Sequence, residues 1–201
     1  TKTILTVHDL SFVRVPESAS PKLKRYLDRV VPSSVRRANL VLADSQATRD
    51  DLIALYHTNP AKIHVLLSGV DARFAPATSD EQALRRKYNI PLRPYIFSVG
   101  TVQPRKNYAR LMQAVARVRA RGHDVSLVIA GGKGWLEDPI YAAIREANMQ
   151  DHVHFIGFAD EQDLPALYTY AACTAFVSLY EGFGLPILES MGCDTPVVTS
   201  Q

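Results

Sequence analysis

The stretch SLYEGFGLPILESMG, residues 178–192, decides the fold class of this 201-residue chain. It follows a short apolar run, residues 174–177, that is typical of a buried strand. The Gly-Phe-Gly step at 182–184 allows close backbone approach, and Pro186 suits the first turn of a helix. The stretch therefore predicts a strand, a loop and a helix N-terminus in succession.

Two glutamates enclose this loop. Unpaired N–H groups at a helix N-terminus attract hydroxyls and anions, so we expect residues 182–185 to cradle a polar ligand. Glu181 precedes the cradle and Glu189 lies about one turn into the helix, so the two carboxylates could hold different parts of one ligand. For either residue alone, the ordinary interpretation is a helix cap for Glu181 and a solvated helix residue for Glu189. The combined pattern is more specific.

A second strand, loop and helix begins at residue 95. The apolar run 95–99 predicts the strand, GTVQPRKN at 100–107 the loop, and apolar residues with helical spacing predict a helix for which Gly122 is the expected C-cap. Arg105 and Lys106 lie just before this helix, where cationic side chains and backbone donors can jointly bind a diphosphate. On spacing alone, two adjacent loop cations are usually solvent-exposed.

The remaining segments continue the alternation of strands and helices. Asp160 is expected to cap the helix after residue 160, and Ser45 to cap the helix 46–56. The alternation through residues 95–199 predicts a parallel, doubly wound sheet. The other predicted strands are 4–7, 40–43, 63–67, 125–130, 153–156 and 196–199, and the other predicted helices are 21–37, 81–88 and 139–148.

The Glu-x7-Glu stretch resembles the signature of retaining glycosyltransferases with the GT-B fold, most closely glycosyltransferase family 4. In that family the first Glu and the following backbone amides contact the donor sugar, and the second Glu binds the ribose hydroxyls of the nucleotide. The resemblance assigns the ribose contact to Glu189. It assigns the sugar contacts to Glu181 and to the cradle formed by Gly182, Phe183, Gly184 and Leu185.

Beyond Glu189 the resemblance weakens. The family often continues Glu-Ala-Met-Ala-x-Gly-x-Pro, whereas this chain has ESMGCDTP at 189–196, so Gly192 and Asp194 depart from the pattern at the helix exit.

The loop that begins at Gly100 is similar to the Arg-Lys loop of family 4, whose side chains clamp the donor pyrophosphate. The resemblance assigns that clamp to Arg105 and Lys106, and it makes Gly100 a further candidate for contact with the donor. Fixed cations stabilise the charge that develops on a leaving nucleoside diphosphate, which could substitute for a metal. Because the chain contains no Asp-x-Asp, we predict no catalytic metal and no cofactor beyond the nucleotide-sugar co-substrate.

His8 ends the predicted strand 4–7, and the carboxyl ends of parallel strands face the ligand crevice of open α/β sheets. A lone His there is ordinarily structural. The segment HDLSFVRVPE, residues 8–17, closely resembles a family 4 segment whose His approaches the donor sugar. The resemblance therefore places His8 at the catalytic cleft, hydrogen-bonding a sugar hydroxyl rather than acting as a general base.

Residues 68–74, SGVDARF, resemble the interdomain linker of the family. We therefore expect residues 1–70 to belong to the N-terminal, acceptor-side Rossmann-like domain and residues 71–201 to the C-terminal, nucleotide-sugar-binding Rossmann-like domain. The resemblance covers nearly the whole chain but only about the middle of a full enzyme. Both domains are thus expected to be incomplete here.

The composition of the chain is that of a globular protein and not of a membrane-spanning one. The chain is 47% hydrophobic, yet no apolar run approaches the roughly 20 residues of a membrane span, and no signal-peptide pattern is present. A cytoplasmic protein is the default expectation. Cys173 and Cys193 lack metal-ligand spacing and are more typical of small buried residues.

The net charge of +3 arises in the first third of the chain, where residues 1–70 hold ten Lys and Arg against six Asp and Glu. This basic segment could contact an anionic lipid at the inner membrane face or a diphosphate acceptor, although a solvated helix face is the more ordinary interpretation. No nucleic-acid-binding motif accompanies it, so nucleic acid is not an expected partner. The cluster comprises Lys22, Lys24, Arg25, Arg29, Arg36 and Arg37.

The resemblance implies a retaining hexosyltransferase, for example a mannosyltransferase. Its donor would be a GDP- or UDP-linked sugar and its acceptor a saccharide or lipid-linked saccharide in surface polysaccharide synthesis. Two alternatives remain: a non-catalytic nucleotide-sugar-binding module, and a GT-B nucleotide-sugar epimerase.

Overall fold

The computed structural model describes residues 2–136 and 138–200. They form two compact units: the first unit extends to Gly69 and includes Tyr180–Gly184, and the second unit comprises Val70–Leu179 and the residues from Leu185 onward. Each unit contains its own parallel β-sheet with helices. The predicted α/β class with parallel sheets is confirmed.

The first unit has a three-stranded parallel sheet in the order β1-β2-β3. Its core is apolar, with Leu10, Val41 and Leu52 fully buried. The strands are β1 (Ile4–Val7), β2 (Leu40–Ala43) and β3 (Ile63–Val65), and the helices are α1 (Ser11–Arg14), α2 (Pro21–Arg37) and α3 (Gln46–Tyr56).

The ends of these elements follow from local chemistry. The Ser45 side chain accepts a hydrogen bond from Thr48 N at 3.0 Å, which confirms the predicted cap of α3. Strand β3 ends two residues earlier than predicted. Leu66 N still donates to Ala43 O, but β2 ends at Ala43, so Leu67 has no strand to pair with and is exposed.

The second unit has a five-stranded parallel sheet in the order β6-β5-β4-β7-β8. The chain builds outward from β4 to β6 and then returns to add β7 on the other side of β4, as predicted for a doubly wound sheet. Open α/β sheets bind ligands where the strand order reverses, here at the carboxyl ends of β4 and β7. The strands are β4 (Tyr95–Val99), β5 (Ser126–Ala130), β6 (Val153–Gly157), β7 (Cys173–Phe176) and β8 (Val197–Thr199), and the helices are α4 (Glu81–Lys87), α5 (Tyr108–Ala120), α6 (Asp138–Glu146), α7 (Leu164–Thr169) and α8 (Leu185–Gly192).

Helices cover both faces of this sheet. Alternate strand residues point to opposite faces, and Leu127 packs in a cluster with Leu111 of α5 and Ile144 of α6. Val128 packs in a separate cluster with Leu167 of α7. The sheet is therefore buried on both sides, which explains why all five residues of β5 are buried.

Two predicted caps were wrong. Helix α7 begins after Asp163 rather than near Asp160, because Asp163 N donates to Asp160 O and closes a turn before the helix. The Asp160 carboxylate instead lies 2.5 Å from Lys87 Nζ. At the end of α5 the C-cap is Arg121, and Gly122 follows it with a φ of 94°.

Among the described residues, no helix combines the length and the apolar character that crossing a bilayer requires.

Candidate functional site

The predicted diphosphate clamp is a single 3₁₀ turn, Pro104–Lys106, between β4 and α5. The Lys106 side chain lies across Gly100, where a Cβ would be 2.7 Å from Lys106 Cε, and Gly100 itself has a φ of 142°. Lys106 Nζ lies 4.9 Å from the centroid of the Phe176 ring. Because Phe176 ends β7 and Gly100 follows β4, the Lys106 ammonium lies at the point where the strand order reverses.

The Arg105–Lys106 turn is hydrogen-bonded to the start of the glutamate stretch within the second unit. Leu179 N donates to Arg105 O at 2.8 Å, and the Asn107 side chain donates to Val177 O at 3.2 Å. The loops that follow β4 and β7 are therefore held in a defined register beside each other.

His8 follows β1 in the first unit and is held by a residue that follows β2. Its Nδ1 lies 2.6 Å from Asp44 Oδ2, and its side chain is 79% exposed. Val7 and Ala43 are paired in the sheet, so the next residue on each strand, His8 and Asp44, project from the same edge. In a neutral imidazole, a carboxylate at Nδ1 favours the tautomer with its proton on Nδ1, which leaves Nε2 as a hydrogen-bond acceptor.

Gly182 approaches the backbone of His8 within the first unit. A Cβ on Gly182 would lie 1.9 Å from His8 O. The buried Thr48 hydroxyl lies 3.3 Å from His8 O and 3.5 Å from Gly182 O. The structure thus brings the residue that follows Glu181 against His8, and only glycine fits at this contact.

Tyr180, which precedes Glu181, is held in the same unit by the buried carboxylate of Asp51, which also pairs with the partly exposed Arg14. Its hydroxyl donates to Asp51 Oδ2, and Arg14 Nε donates to Asp51 Oδ1 at 2.8 Å. Asp51 is 6% exposed. Burial, together with the hydrogen bond to Asp51 and its charge, raises the pKa of Tyr180, and the Asp51 contact likewise raises the pKa of Arg14. Both groups therefore stay protonated as donors.

Glu189 lies on α8 in the second unit and contacts α7. Its Oε2 accepts a hydrogen bond from the Tyr168 hydroxyl at 2.6 Å. Tyr168 is fully buried, and burial followed by the charge and hydrogen bond of Glu189 raises its pKa. Glu189 is therefore not simply a solvated helix residue.

The predicted site residues fall into two groups, each within one unit. His8 shares the first unit with Glu181, Gly182, Phe183 and Gly184. The second unit contains Gly100, Arg105, Lys106, Leu185 and Glu189. Within the described residues, no three or more His, Cys, Asp or Glu side chains are grouped to hold a metal ion.

Sequence reasoning missed three residues that contact predicted site residues or their neighbours within one unit: Asp44 and Asp51 in the first unit, and Tyr168 in the second. Asp44 carried a usable signal, since it follows β2 as His8 follows β1, and neighbouring parallel strands end at one edge. Asp51 and Tyr168 carried no local signal, because their partners are 129 and 21 residues away in the chain.

Models of two known protein families match this chain. The family model of glycosyl transferases group 1 matches residues 80–201, and that of Glycosyltransferase Family 4 matches residues 1–74. The first match covers more than half of the chain, so the chain belongs to the group 1 glycosyltransferases.

Two curated relatives cover nearly all of this chain. It is 30% identical over 204 residues to O-antigen chain mannosyltransferase B of Escherichia coli, covering 99% of this chain and 53% of the relative. It is 35% identical over 211 residues to a D-inositol 3-phosphate glycosyltransferase of Salinispora tropica, covering 97% and 44%. The chain thus spans about half the length of these relatives.

Solved structures show the same fold. Anabaena Alr3699/HepE, in complex with UDP and glucose, matches with a TM-score of 0.80 at 25% identity, covering 98% of this chain and 52% of that one. WaaG, a glycosyltransferase involved in lipopolysaccharide biosynthesis, matches with a TM-score of 0.74 at 18% identity, covering 98% and 55%. The predicted GT-B fold class is therefore confirmed.

Proposed function

We propose that the protein containing this chain is a retaining glycosyltransferase that moves a hexose from a GDP- or UDP-linked donor to a saccharide or lipid-linked acceptor in surface polysaccharide synthesis. The observation that carries this proposal is the position of Lys106. Its ammonium lies where the strand order of the second unit reverses, in a turn hydrogen-bonded to the start of the glutamate stretch. A diphosphate is the ligand chemistry that suits a cation pair before a helix N-terminus.

In this proposal each group has a separate role. Arg105 and Lys106 bind the donor diphosphate and stabilise the charge that grows on it as the glycosidic bond breaks. Glu189 accepts hydrogen bonds from the ribose. Glu181 and the backbone of residues 182–185 bind the donor sugar.

His8 binds a sugar hydroxyl through Nε2, oriented by the contact between its Nδ1 and Asp44. Because no residue is assigned as a nucleophile or a base, the acceptor hydroxyl attacks the anomeric carbon on the face from which the diphosphate leaves, and its proton passes to the departing phosphate oxygen as the bond to the diphosphate breaks. Retention follows from that geometry.

The compared proteins support the class of donor and acceptor. One relative is named as an O-antigen mannosyltransferase, and one solved neighbour contains UDP and glucose. Mannose and glucose are therefore the first donors to test.

We include in the proposal a peripheral contact between α2 and an anionic membrane surface. Arg25, Arg29 and Arg36 on this helix are exposed, as is the ring of Tyr26. Basic side chains attract anionic lipid headgroups, and an exposed aromatic ring suits the membrane interface.

Calorimetric titration of the full-length protein with GDP, UDP and their mannose and glucose conjugates tests the donor site. Glu189→Ala should weaken donor binding by about 1.5 to 3 kcal/mol, or roughly ten- to a hundredfold, because a charge-assisted hydrogen bond is lost. Arg105→Ala should weaken it also. Glu146→Ala and Arg117→Ala, which remove exposed charges from α6 and α5, are the matched controls and should bind normally.

Other results would contradict the proposal. A folded protein that binds none of these nucleotides, or variants that bind as the wild type does, would overturn the donor site. Donor binding without transfer or hydrolysis would indicate a binding module. Release of free nucleotide and epimerised sugar without an acceptor would indicate an epimerase.

A further inference from the structure

Tyr168, the residue that donates a hydrogen bond to Glu189, belongs to a tightly packed cluster of aromatic side chains. The Tyr168 ring packs edge-on against Phe97, with centroids 5.0 Å apart, and against Phe74, with centroids 6.0 Å apart. Tyr168 and Phe97 are fully buried. A ring enclosed on these sides cannot change rotamer without opening the core, so the Tyr168 hydroxyl has one fixed position.

The backbone around Tyr168 is also held by buried hydrogen bonds. Thr195, just after α8, donates from its hydroxyl to Tyr168 O at 2.8 Å. The Tyr95 hydroxyl of β4 donates to Leu167 O, also at 2.8 Å. The segment that carries Tyr168 is therefore joined both to the central strand of the sheet and to the residues that follow α8.

The Tyr168 hydroxyl binds only one of the two oxygens of the Glu189 carboxylate. It donates to Oε2, and among the described residues this is the hydrogen bond that the Glu189 side chain makes. An ionised carboxylate has about four acceptor positions on its two oxygens. Glu189 is half-buried, so Oε1 keeps acceptor capacity that solvent or a ligand can use.

We propose that Tyr168 is a positioning residue that holds Oε2 of Glu189 and so presents Oε1 to the ribose hydroxyls of the donor nucleotide. This inference rests on the proposed function. A glutamate side chain on a helix otherwise samples several rotamers, and binding a ligand would have to restrict them. The hydrogen bond from Tyr168 already restricts the rotamers of Glu189 in the absence of the ligand. Because burial raises the pKa of Tyr168, the phenol remains a donor at neutral pH.

Tyr168→Phe in the full-length protein tests this role, because it removes the hydroxyl and keeps the ring packing. Affinity is measured for the nucleoside diphosphate that the wild type binds and for its 2′,3′-dideoxy counterpart. We expect Tyr168→Phe to weaken binding of the ribonucleotide about fivefold to tenfold and to leave binding of the dideoxy nucleotide unchanged. In a Glu189→Ala background, Tyr168→Phe should have no further effect.

Tyr95→Phe is the matched control. It removes another buried phenol from the same core, one that contacts Leu167 O rather than Glu189. We expect it to lower thermal stability but to leave the preference for the ribonucleotide unchanged. If Tyr168→Phe weakens both nucleotides equally, or neither, Tyr168 has only a structural role and the inference is overturned.

The same experiment separates this inference from the proposed function. A wild-type protein that binds no nucleoside diphosphate overturns both. A wild-type protein that binds ribo- and dideoxynucleotides equally overturns the ribose role of Glu189, and the inference with it, but leaves the diphosphate clamp in place. If the wild type and Tyr168→Phe prefer the ribonucleotide to the same extent, only the positioning role fails.

Discussion

Glu181 and Glu189 are eight residues apart, but the regions that contain them are held in different ways. In the loop Tyr180–Gly184, the residues on either side of Glu181 are anchored: the Tyr180 hydroxyl bonds to Asp51, and the Gly182 backbone lies against His8. On α8, Glu189 is anchored through its own carboxylate. The loop is thus sensitive to changes at Tyr180 and Gly182, and the helix position to loss of the Tyr168 hydroxyl.

The largest expected effect is on the loop. Gly182→Ala would place a Cβ 1.9 Å from a backbone oxygen that no side-chain rotation can move. We expect it to destabilise the protein by about 3 kcal/mol, at the upper end for overpacking. Urea denaturation measures this. Gly69→Ala is the matched control, since a Cβ there meets nothing within 4 Å, and its effect should stay within about 0.5 kcal/mol. Equal effects at both positions would show that the close approach is absent.

A smaller effect is expected from removing the anchor of Tyr180. Asp51→Ala leaves the Tyr180 phenol and the Arg14 guanidinium without their shared acceptor, and we expect a loss of about 2 kcal/mol in unfolding free energy. Asp50→Ala is the control, because its side chain is 60% exposed and its surface contacts contribute little. If the two variants are equally stable, Tyr180 does not depend on Asp51.

The smallest effect is expected just beyond α8, at Asp194. Asp194 stands where the family pattern has glycine and adopts a left-handed φ of 58°. Asp194→Gly should stabilise the protein by about 0.5 to 1 kcal/mol, and Asp194→Ala should destabilise it, because alanine tolerates this backbone less well than aspartate. Thermal unfolding measures both. Nucleotide affinity should stay unchanged, since neither variant alters the contact between Tyr168 and Glu189. Two changes of the same sign would contradict the backbone explanation.

Local sequence was sufficient for much of the fold. Apolar runs located β1, β2 and β4 to the residue, and Ser45 marked the start of α3, because these features depend on neighbours only a few residues away. The two wrong helix caps, at Asp160 and Gly122, were also predicted from local sequence alone. Each residue type favours a helix end, but the hydrogen bonds of the turn decide which residue occupies it.

The sequence by itself determined the α/β class, the family and the positions of the two glutamates and the Arg-Lys turn, because strand, loop and helix signals are local and the spacing of these residues is a property of the chain. Only the tertiary structure decided what holds those residues. The contacts of His8 with Asp44, Tyr180 with Asp51, and Glu189 with Tyr168 join residues 36, 129 and 21 positions apart. Such contacts depend on strand order and helix packing, which bring distant residues together without leaving a periodic pattern in the sequence.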